Sequence, residues 1–210
     1  MSDRTHELVL FDFGGVVLRT PFELLPEHVT WRGPFGPPGH DELWDRSVDQ
    51  GDELHERDYW HLRSSELHPD AEDPTFALMR DLYEVDEDRL IRPEMVQMLE
   101  RLERDGYRIA VLTNDMRKFH GQDWVDRMTV LQRFEQVIDL SMIGFLKPAP
   151  QAYEHALKVL DIDAADVLFV DDQPPNVQGA LAAGMAAVHY DPTQVDASIA
   201  RAEAALGSRG

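Results

Sequence analysis

The sequence predicts an α/β fold, a doubly wound, Rossmann-like parallel sheet core with an inserted all-helical cap, on three observations. Short apolar runs recur at Leu8–Phe11, Ile109–Leu112, Val167–Val170 and Ala186–Val188 without polar alternation, which suits parallel strands covered on both faces. Segments of helical periodicity separate the later runs, so strand, helix and strand alternate and right-handed crossovers follow. The stretch between the first two runs breaks this rhythm, because it offers helical patches and no convincing strand.

In chain order, Leu8–Phe11 is the first strand. Between about Arg19 and Arg89 the helical patches are Phe22–Trp31, Asp41–Val48, Glu56–Leu67 and Pro74–Tyr83, while Arg32–Gly39 is too rich in Gly and Pro to be helical. Residues 1–18 and 90–210 are therefore expected to form the core and residues 19–89 the cap. Pro93–Asp105 sets Met95, Met98, Leu99 and Leu102 at helical spacing, and Gly106 terminates it. Ile109–Leu112 follows as the second strand, and Gln136–Leu140 is a weaker strand candidate. Pro148–Leu160 reads as a helix, as does Pro174–Ala183, which Gly184 stops. The last strand, Ala186–Val188, leads to an Ala-rich closing helix over Thr193–Leu206, with Gly207–Gly210 expected to fray.

Composition narrows the function classes. With 210 residues, 43% hydrophobic and 29% charged, the chain can bury a core without covalent staples. Forty acidic residues against 20 basic ones leave a formal charge of −20, which repels a phosphate backbone and an anionic membrane surface alike, so neither nucleic acid nor membrane is expected as a partner. The absence of Cys removes disulfides, thiolate nucleophiles and zinc knuckles, and the nine His are scattered without metal-binding spacing. No run approaches the ~20 apolar residues of a membrane span. Met1–Glu7 is charged and leads into an apolar run too short for a signal-peptide core, so a soluble, cytoplasmic protein is expected. The sequence carries no phosphate-binding loop ending in Gly-Lys-Ser/Thr, no Gly-x-Gly-x-x-Gly turn and no Gly-x-Ser-x-Gly elbow.

In an open parallel sheet, ligands bind beyond the carboxyl ends of the strands. There the apolar runs end in Asp12, in Thr113 and Asn114, and in Asp171 and Asp172, while Lys147 follows the loop after Gln136–Leu140. Taken singly, each is ordinary: an Asp after a strand is a turn former or a helix cap, and a Lys before Pro148 is a solvated loop charge. Their joint placement gathers three carboxylates and one ammonium at one sheet end. Carboxylates gathered there repel one another and carry a heavy desolvation cost unless cations join them, and one Lys is not enough. A hard divalent cation resolves the imbalance. Mg²⁺ is the natural candidate, because it keeps waters and a phosphate oxygen in its octahedral shell, so the charge balance asks for a metal and an anionic substrate together.

These residues lie in four ordered motifs spread over nearly the whole chain. They are Leu8-Val-Leu-Phe-Asp-Phe-Gly-Gly-Val-Val17, Val111-Leu-Thr-Asn114, Gly144-Phe-Leu-Lys-Pro-Ala-Pro-Gln-Ala-Tyr153, and Val167-Leu-Phe-Val-Asp-Asp172 with Asn176 and Gly179. The set resembles the haloacid dehalogenase-like hydrolase superfamily, of the kind with a helical cap between the first and second motifs. The resemblance implies that Asp12 is the nucleophile, forming an aspartyl-phosphate, and also a metal ligand. It implies that Gly14 offers its backbone carbonyl to Mg²⁺, that Asp172 is the direct carboxylate ligand of the last motif, and that Asp171 supports it or ligates through water. Thr113 and the Asn114 amide would bind phosphoryl oxygens. Lys147 would neutralise the nucleophile and the transferred group.

One departure stands out. Phosphatases of this superfamily commonly carry a second Asp two positions after the nucleophile, as general acid and base, and this chain has Gly14 there. Three explanations follow: a cap residue or water does the work, the leaving group needs little protonation, or turnover is weak. A branch with a similar Asp-hydrophobic-Gly motif includes sugar-phosphate phosphatases, and an anomeric phosphate leaves more readily than an alkyl one. A catalytically weak ligand- or partner-binding protein is the alternative favoured by Gly14. A 2-haloacid dehalogenase is a further alternative, opposed by the paired Asp171 and Asp172, which would repel a carboxylate substrate. The state expected is a monomer or homodimer. Arg19, Thr20, Trp31, Arg32 and Phe35 are candidate substrate contacts in the cap, although packing between cap helices is the better explanation of Trp31, Trp44 and Trp60. His120 is a candidate substitute acid, or simply a histidine on a surface helix.

Overall fold

The apolar runs become the strands of one sheet in the computed structural model, which describes residues 5–24 and 56–207. The strands are β1 (Leu8–Phe11), β2 (Arg108–Thr113), β3 (Gln136–Asp139), β4 (Val167–Asp171) and β5 (Ala186–His189). They pair in the order β3-β2-β1-β4-β5, and every pairing is parallel. The weaker candidate at 136–140 is thus a strand, at one edge of the sheet.

The sheet has no polar face because both faces carry helices. Successive side chains point to opposite sides. Val9, Phe11, Ile109, Val111, Leu168 and Val170 pack on one side with Met95, Met98, Leu99, Leu102 and Ile199. These come from α5 (Pro93–Arg104) and α10 (Val195–Ala205). Leu8, Leu10, Ala110, Leu112 and Phe169 pack on the other with Ala152, Tyr153, Ala156 and Ala180, from α8 (Pro150–Leu160) and α9 (Pro174–Ala182). The central strand β1 is wholly buried, and each such Leu, Val or Phe side chain is worth about 1.5–3 kcal/mol relative to exposure.

The helix expected from Pro148 begins instead at Pro150. Proline drives its predecessor out of the helical region, and Ala149 is extended, with φ −61° and ψ 136°. All described elements between β1 and β2 are helical: α1 (Pro21–Leu24), α2 (Glu56–Leu67), α3 (Pro74–Tyr83), α4 (Glu87–Leu90) and then α5. The part of Phe22–Trp31 beyond Leu24, the patch Asp41–Val48 and the breaker-rich Arg32–Gly39 lie outside the described residues. Asp73 caps α3 by accepting from the Phe76 amide at 2.9 Å. The fully buried Ser64 hydroxyl of α2 meets Thr75 of α3 at 3.1 Å. The chain leaves and re-enters the sheet side by side, at an antiparallel bridge between Leu18 and Ile91.

Two short helices follow β2, α6 (Met116–His120) and α7 (Gln122–Arg127). Trp124 of α7 sets its ring edge-on to Phe13 and Tyr83, at 6.4 and 6.3 Å, and donates its indole N–H to the Tyr83 carbonyl at 3.0 Å. This packs α3 against the residue after Asp12. Among the described residues no helix is long and apolar enough to cross a membrane.

Candidate active site

The register of the sheet places the site. Phe11 lies opposite Val170, which sets Asp12 beside Asp171, and the Asp12 amide donates to the Val170 carbonyl at 2.8 Å. Asp12, Asp171 and Asp172 are buried, and each offers a carboxylate oxygen within 4.8 Å of the others. Lys147, 4% exposed, reaches between the first two: its Nζ is 2.9 Å from Asp12 Oδ1 and 2.7 Å from Asp171 Oδ2.

Each charge is held by a neighbour. The Asn114 side chain brackets the Lys147 backbone, accepting from its amide at 2.8 Å and donating to its carbonyl at 3.1 Å. Asn114 thus ties the end of β2 to the loop that delivers Lys147. The ring of Phe169 lies 5.4 Å from Nζ. Asp171 accepts from the Gln173 amide at 2.8 Å and from Asn176 Nδ2 at 3.0 and 3.1 Å. Tyr153 in turn donates to the Asn176 carbonyl at 2.8 Å. Gly179 permits that contact, since a Cβ there would fall 2.6 Å from the Tyr153 hydroxyl oxygen. Asp12 Oδ1 also accepts from the Phe13 amide at 2.7 Å. Gly15 has a left-handed φ of +77°, and a side chain there would collide with the Asp172 carboxylate.

Burial pushes the Asp12 carboxyl up to about 7, against the pull of Lys147 and with a further push from Asp171. Burial alone would lower the Lys147 ammonium, but Asp12 and Asp171 outweigh it and hold the group above its ordinary value. Three carboxylates thus face one ammonium, an arrangement that a further cation would balance. Its donors are all oxygens, the set that suits a hard cation such as Mg²⁺ better than a soft metal.

The other expected residues are found as follows. Thr113 is buried at the end of β2, opposite Asp139 of β3. Asp139 accepts from the amides of Arg117 at 2.8 Å and Ser141 at 3.1 Å, bracing the two loops that follow these strands. Gly14 faces open space, with nothing within 4 Å of where a Cβ would stand. Thr20 and Arg19 turn to Glu23: the Thr20 hydroxyl donates to it at 2.9 Å and Arg19 lies 3.3 Å away. Trp31, Arg32, Phe35 and Trp44 lie outside the described residues, and Trp60 lies on α2. His120 is half-buried at the end of α6. It stacks on Trp124 at 4.1 Å and meets the Tyr83 ring at 4.5 Å, and burial pushes it down to about 4, which leaves a poor proton donor at neutral pH.

Sequence reasoning assigned no part to Tyr153 or Arg92. Tyr153 closes the third motif but only the fold brings it to Asn176, and Arg92 sits before Pro93 with no local sign that it is buried.

The family model for haloacid dehalogenase-like hydrolases matches residues 6–184. The chain belongs to that family. Among relatives of this haloacid dehalogenase-like hydrolase is the sesquiterpene phosphatase astK of Aspergillus oryzae, 32% identical over 108 residues, 47% of this chain and 51% of that protein. A phosphoglycolate phosphatase of Pseudomonas savastanoi pv. phaseolicola is 30% identical over 118 residues, 56% of this chain and 43% of that protein. The chain spans about half the length of these relatives, or less. A subfamily IA hydrolase of the superfamily from Geobacter sulfurreducens superposes with a TM-score of 0.53 at 18% identity, covering 90% of this chain and 89% of that one. The L-2-haloacid dehalogenase RSc1362 does so at 0.52 and 18%, covering 89% and 87%, and both likenesses show the fold alone.

Proposed function

We propose that this hydrolase is a Mg²⁺-dependent phosphatase that cleaves a small phosphorylated metabolite through an aspartyl-phosphate on Asp12. The observation that carries the reading is the buried trio Asp12, Asp171 and Asp172, with Lys147 set between the first two. Phosphatase relatives support it, and so does the paired Asp171–Asp172, whose charge would oppose the carboxylate of a haloacid.

In this reading Asp12 attacks phosphorus, the ester oxygen departs with the organic group, and water then cleaves the aspartyl-phosphate. Thr113 and the Asn114 backbone amide hold phosphoryl oxygens, while Lys147 neutralises the nucleophile and the developing charge. Asp12, Asp172 and the Gly14 carbonyl would hold Mg²⁺. Asp171, already occupied by Lys147, Asn176 and the Gln173 amide, supports from behind or ligates through water. When bound, Mg²⁺ supplies charge neutralisation that lets a phosphate dianion approach the carboxylates. Residues 19–89 act as the cap that chooses the substrate, over a core of residues 1–18 and 90–210. With Gly14 in place of an acid, the reading favours esters whose leaving oxygen needs little protonation, and anomeric sugar phosphates are the first to test.

Release of inorganic phosphate from an activated aryl phosphate, with Mg²⁺ and with EDTA, tests the proposal in wild type and Asp12→Asn. Turnover that chelation and the substitution both abolish is expected, and turnover indifferent to both would overturn it. Gly14 also favours a second reading, a weakly catalytic protein that binds a phosphorylated ligand. Tight ligand binding without turnover, even for the activated ester, would support that one.

A further inference from the structure

Arg92 is among the largest fully enclosed side chains, 1% exposed, and it lies where the chain re-enters the core after the helical insert. A buried guanidinium needs partners. Its Nη2 donates to the Glu23 carboxylate at 2.7 Å and to the Gly15 carbonyl at 3.2 Å. Its Nε and Nη1 are buried with no hydrogen-bond partner among the described residues. Both contacts thus fall on one nitrogen, so the position that suits Glu23 also decides how Gly15 is held.

The two partners belong to different parts of the fold. Glu23 lies on α1, the first helix after the chain leaves the sheet, and is fixed there by a reciprocal cap. It accepts from the Thr20 amide at 2.7 Å and hydroxyl at 2.9 Å, and its own amide reaches the Thr20 hydroxyl at 3.4 Å. The outgoing and returning strands of chain are joined beside it. Arg19 donates to the Leu90 carbonyl at 2.8 Å, and Tyr83 of α3 donates to the Arg19 carbonyl at 2.8 Å. Gly15 belongs to the loop after Asp12. Its peptide adjoins the Gly14 carbonyl, and its bare α-carbon is the surface against which the Asp172 carboxylate lies.

We propose that Arg92 is a positioning residue. Through Glu23 on one side and the Gly15 carbonyl on the other, it fixes Gly15, and with it the adjoining Gly14 carbonyl and the seat of Asp172, so the junction with the helical insert controls how well the acidic trio holds a divalent cation. Arg92 touches neither the cation nor the substrate. The inference rests on the metal reading of Asp12, Gly14 and Asp172, and goes beyond it by making that site dependent on Glu23 and Arg92, which ligate nothing.

The test measures Mn²⁺ binding directly, by paramagnetic resonance of free Mn²⁺, in metal-free wild type, Arg92→Met, Arg92→Lys, Glu23→Ala and the control Arg101→Gln. Arg101 pairs with Glu203 at 2.7 Å at the α5–α10 contact. Partners that orient ligands typically contribute about 10–100-fold to metal affinity, so Arg92→Met and Glu23→Ala are each expected to weaken Mn²⁺ at least about tenfold. Arg92→Lys should recover part of the loss, and Arg101→Gln should match wild type. At saturating Mn²⁺ the kcat of Glu23→Ala should return toward wild type, which a merely damaged fold would not allow. Should Arg92→Met fail to fold, Glu23→Ala carries the test from a partly exposed position. Folded Glu23→Ala that binds Mn²⁺ like wild type overturns the inference while leaving the phosphatase reading intact. Wild type that binds no Mn²⁺ overturns the metal reading and this inference with it.

Discussion

Replacing Lys147 by Met takes one positive charge from between two buried carboxylates and leaves a side chain of similar length that still packs on Phe169. The cost is worked from what each carboxylate retains. Asp171 keeps the Gln173 amide and the Asn176 side chain, three contacts of 2.8 to 3.1 Å, so it stays well solvated by the protein. Asp12 keeps the Phe13 amide at 2.7 Å, and the loss therefore falls chiefly on Asp12. Removing one partner of a buried ion pair costs about 3–5 kcal/mol, a large share of the ~5–15 kcal/mol that stabilises a typical domain. Urea unfolding in EDTA, followed by far-ultraviolet circular dichroism, measures it. Saturating Mg²⁺ should return part of the loss, because a cation can take over what Lys147 no longer neutralises. A loss below about 1 kcal/mol, the worth of an exposed ion pair, would refute the view that Lys147 is the internal counter-charge of the site.

Gly14→Asp should be accepted without strain, since space is open there and the backbone is not left-handed. If a missing acid limits turnover, alkyl phosphates should gain up to about 10²-fold in kcat, and no gain assigns the proton to another group. Gly179→Ala forces Tyr153 away from Asn176, and thermal unfolding should show the ~1–3 kcal/mol loss typical of overpacking. His120 is held neutral by burial down to about 4, against 6.5 in the unfolded chain. Between those values the unfolded chain binds the additional proton, so stability falls as acid is added, by about 3 kcal/mol at most, and levels off below the folded value. His120→Phe should flatten that limb of the stability–pH curve, and an unchanged slope would refute the assignment.

The inner strands β1, β2 and β4 were legible because their burial on both faces removes the polar alternation that blurs shorter signals. Leu8–Phe11 and Val167–Asp171 are wholly buried, and a run of four or five apolar residues has little other use. The edge strand Gln136–Asp139 was fainter because its first residue is exposed and need not be apolar. A helix after β2 was expected but without bounds, since α6 and α7 are five and six residues long, too short for a periodic pattern. His120 was misread for the same reason. Its neighbours Tyr83 and Trp124 come from two separate elements, and no local spacing announces an aromatic stack assembled that way.

The charges themselves were legible from their places at strand ends, but their division of labour came only from the family resemblance and had no physical reason in the sequence. Sequence alone makes Asp12 and Asp171 equivalent, each an acid after an apolar run. The fold separates them. The Asp171 side chain is completely enclosed and meets Lys147, Asn176 and the Gln173 amide, whereas the Asp12 side chain keeps 12% of its surface open. A carboxylate bound on every side is a fixed negative charge, suited to holding Lys147 and shaping the field. One with an open edge can meet a phosphorus atom. That difference comes from Asn176, five residues beyond Asp171 on the first turn of α9, which no corresponding residue supplies to Asp12 among the described contacts. In the phosphatase reading, the short turn from β4 into α9 thereby leaves Asp12 rather than Asp171 as the acid free to react, and the glycine that lets Tyr153 brace Asn176 belongs to the same device.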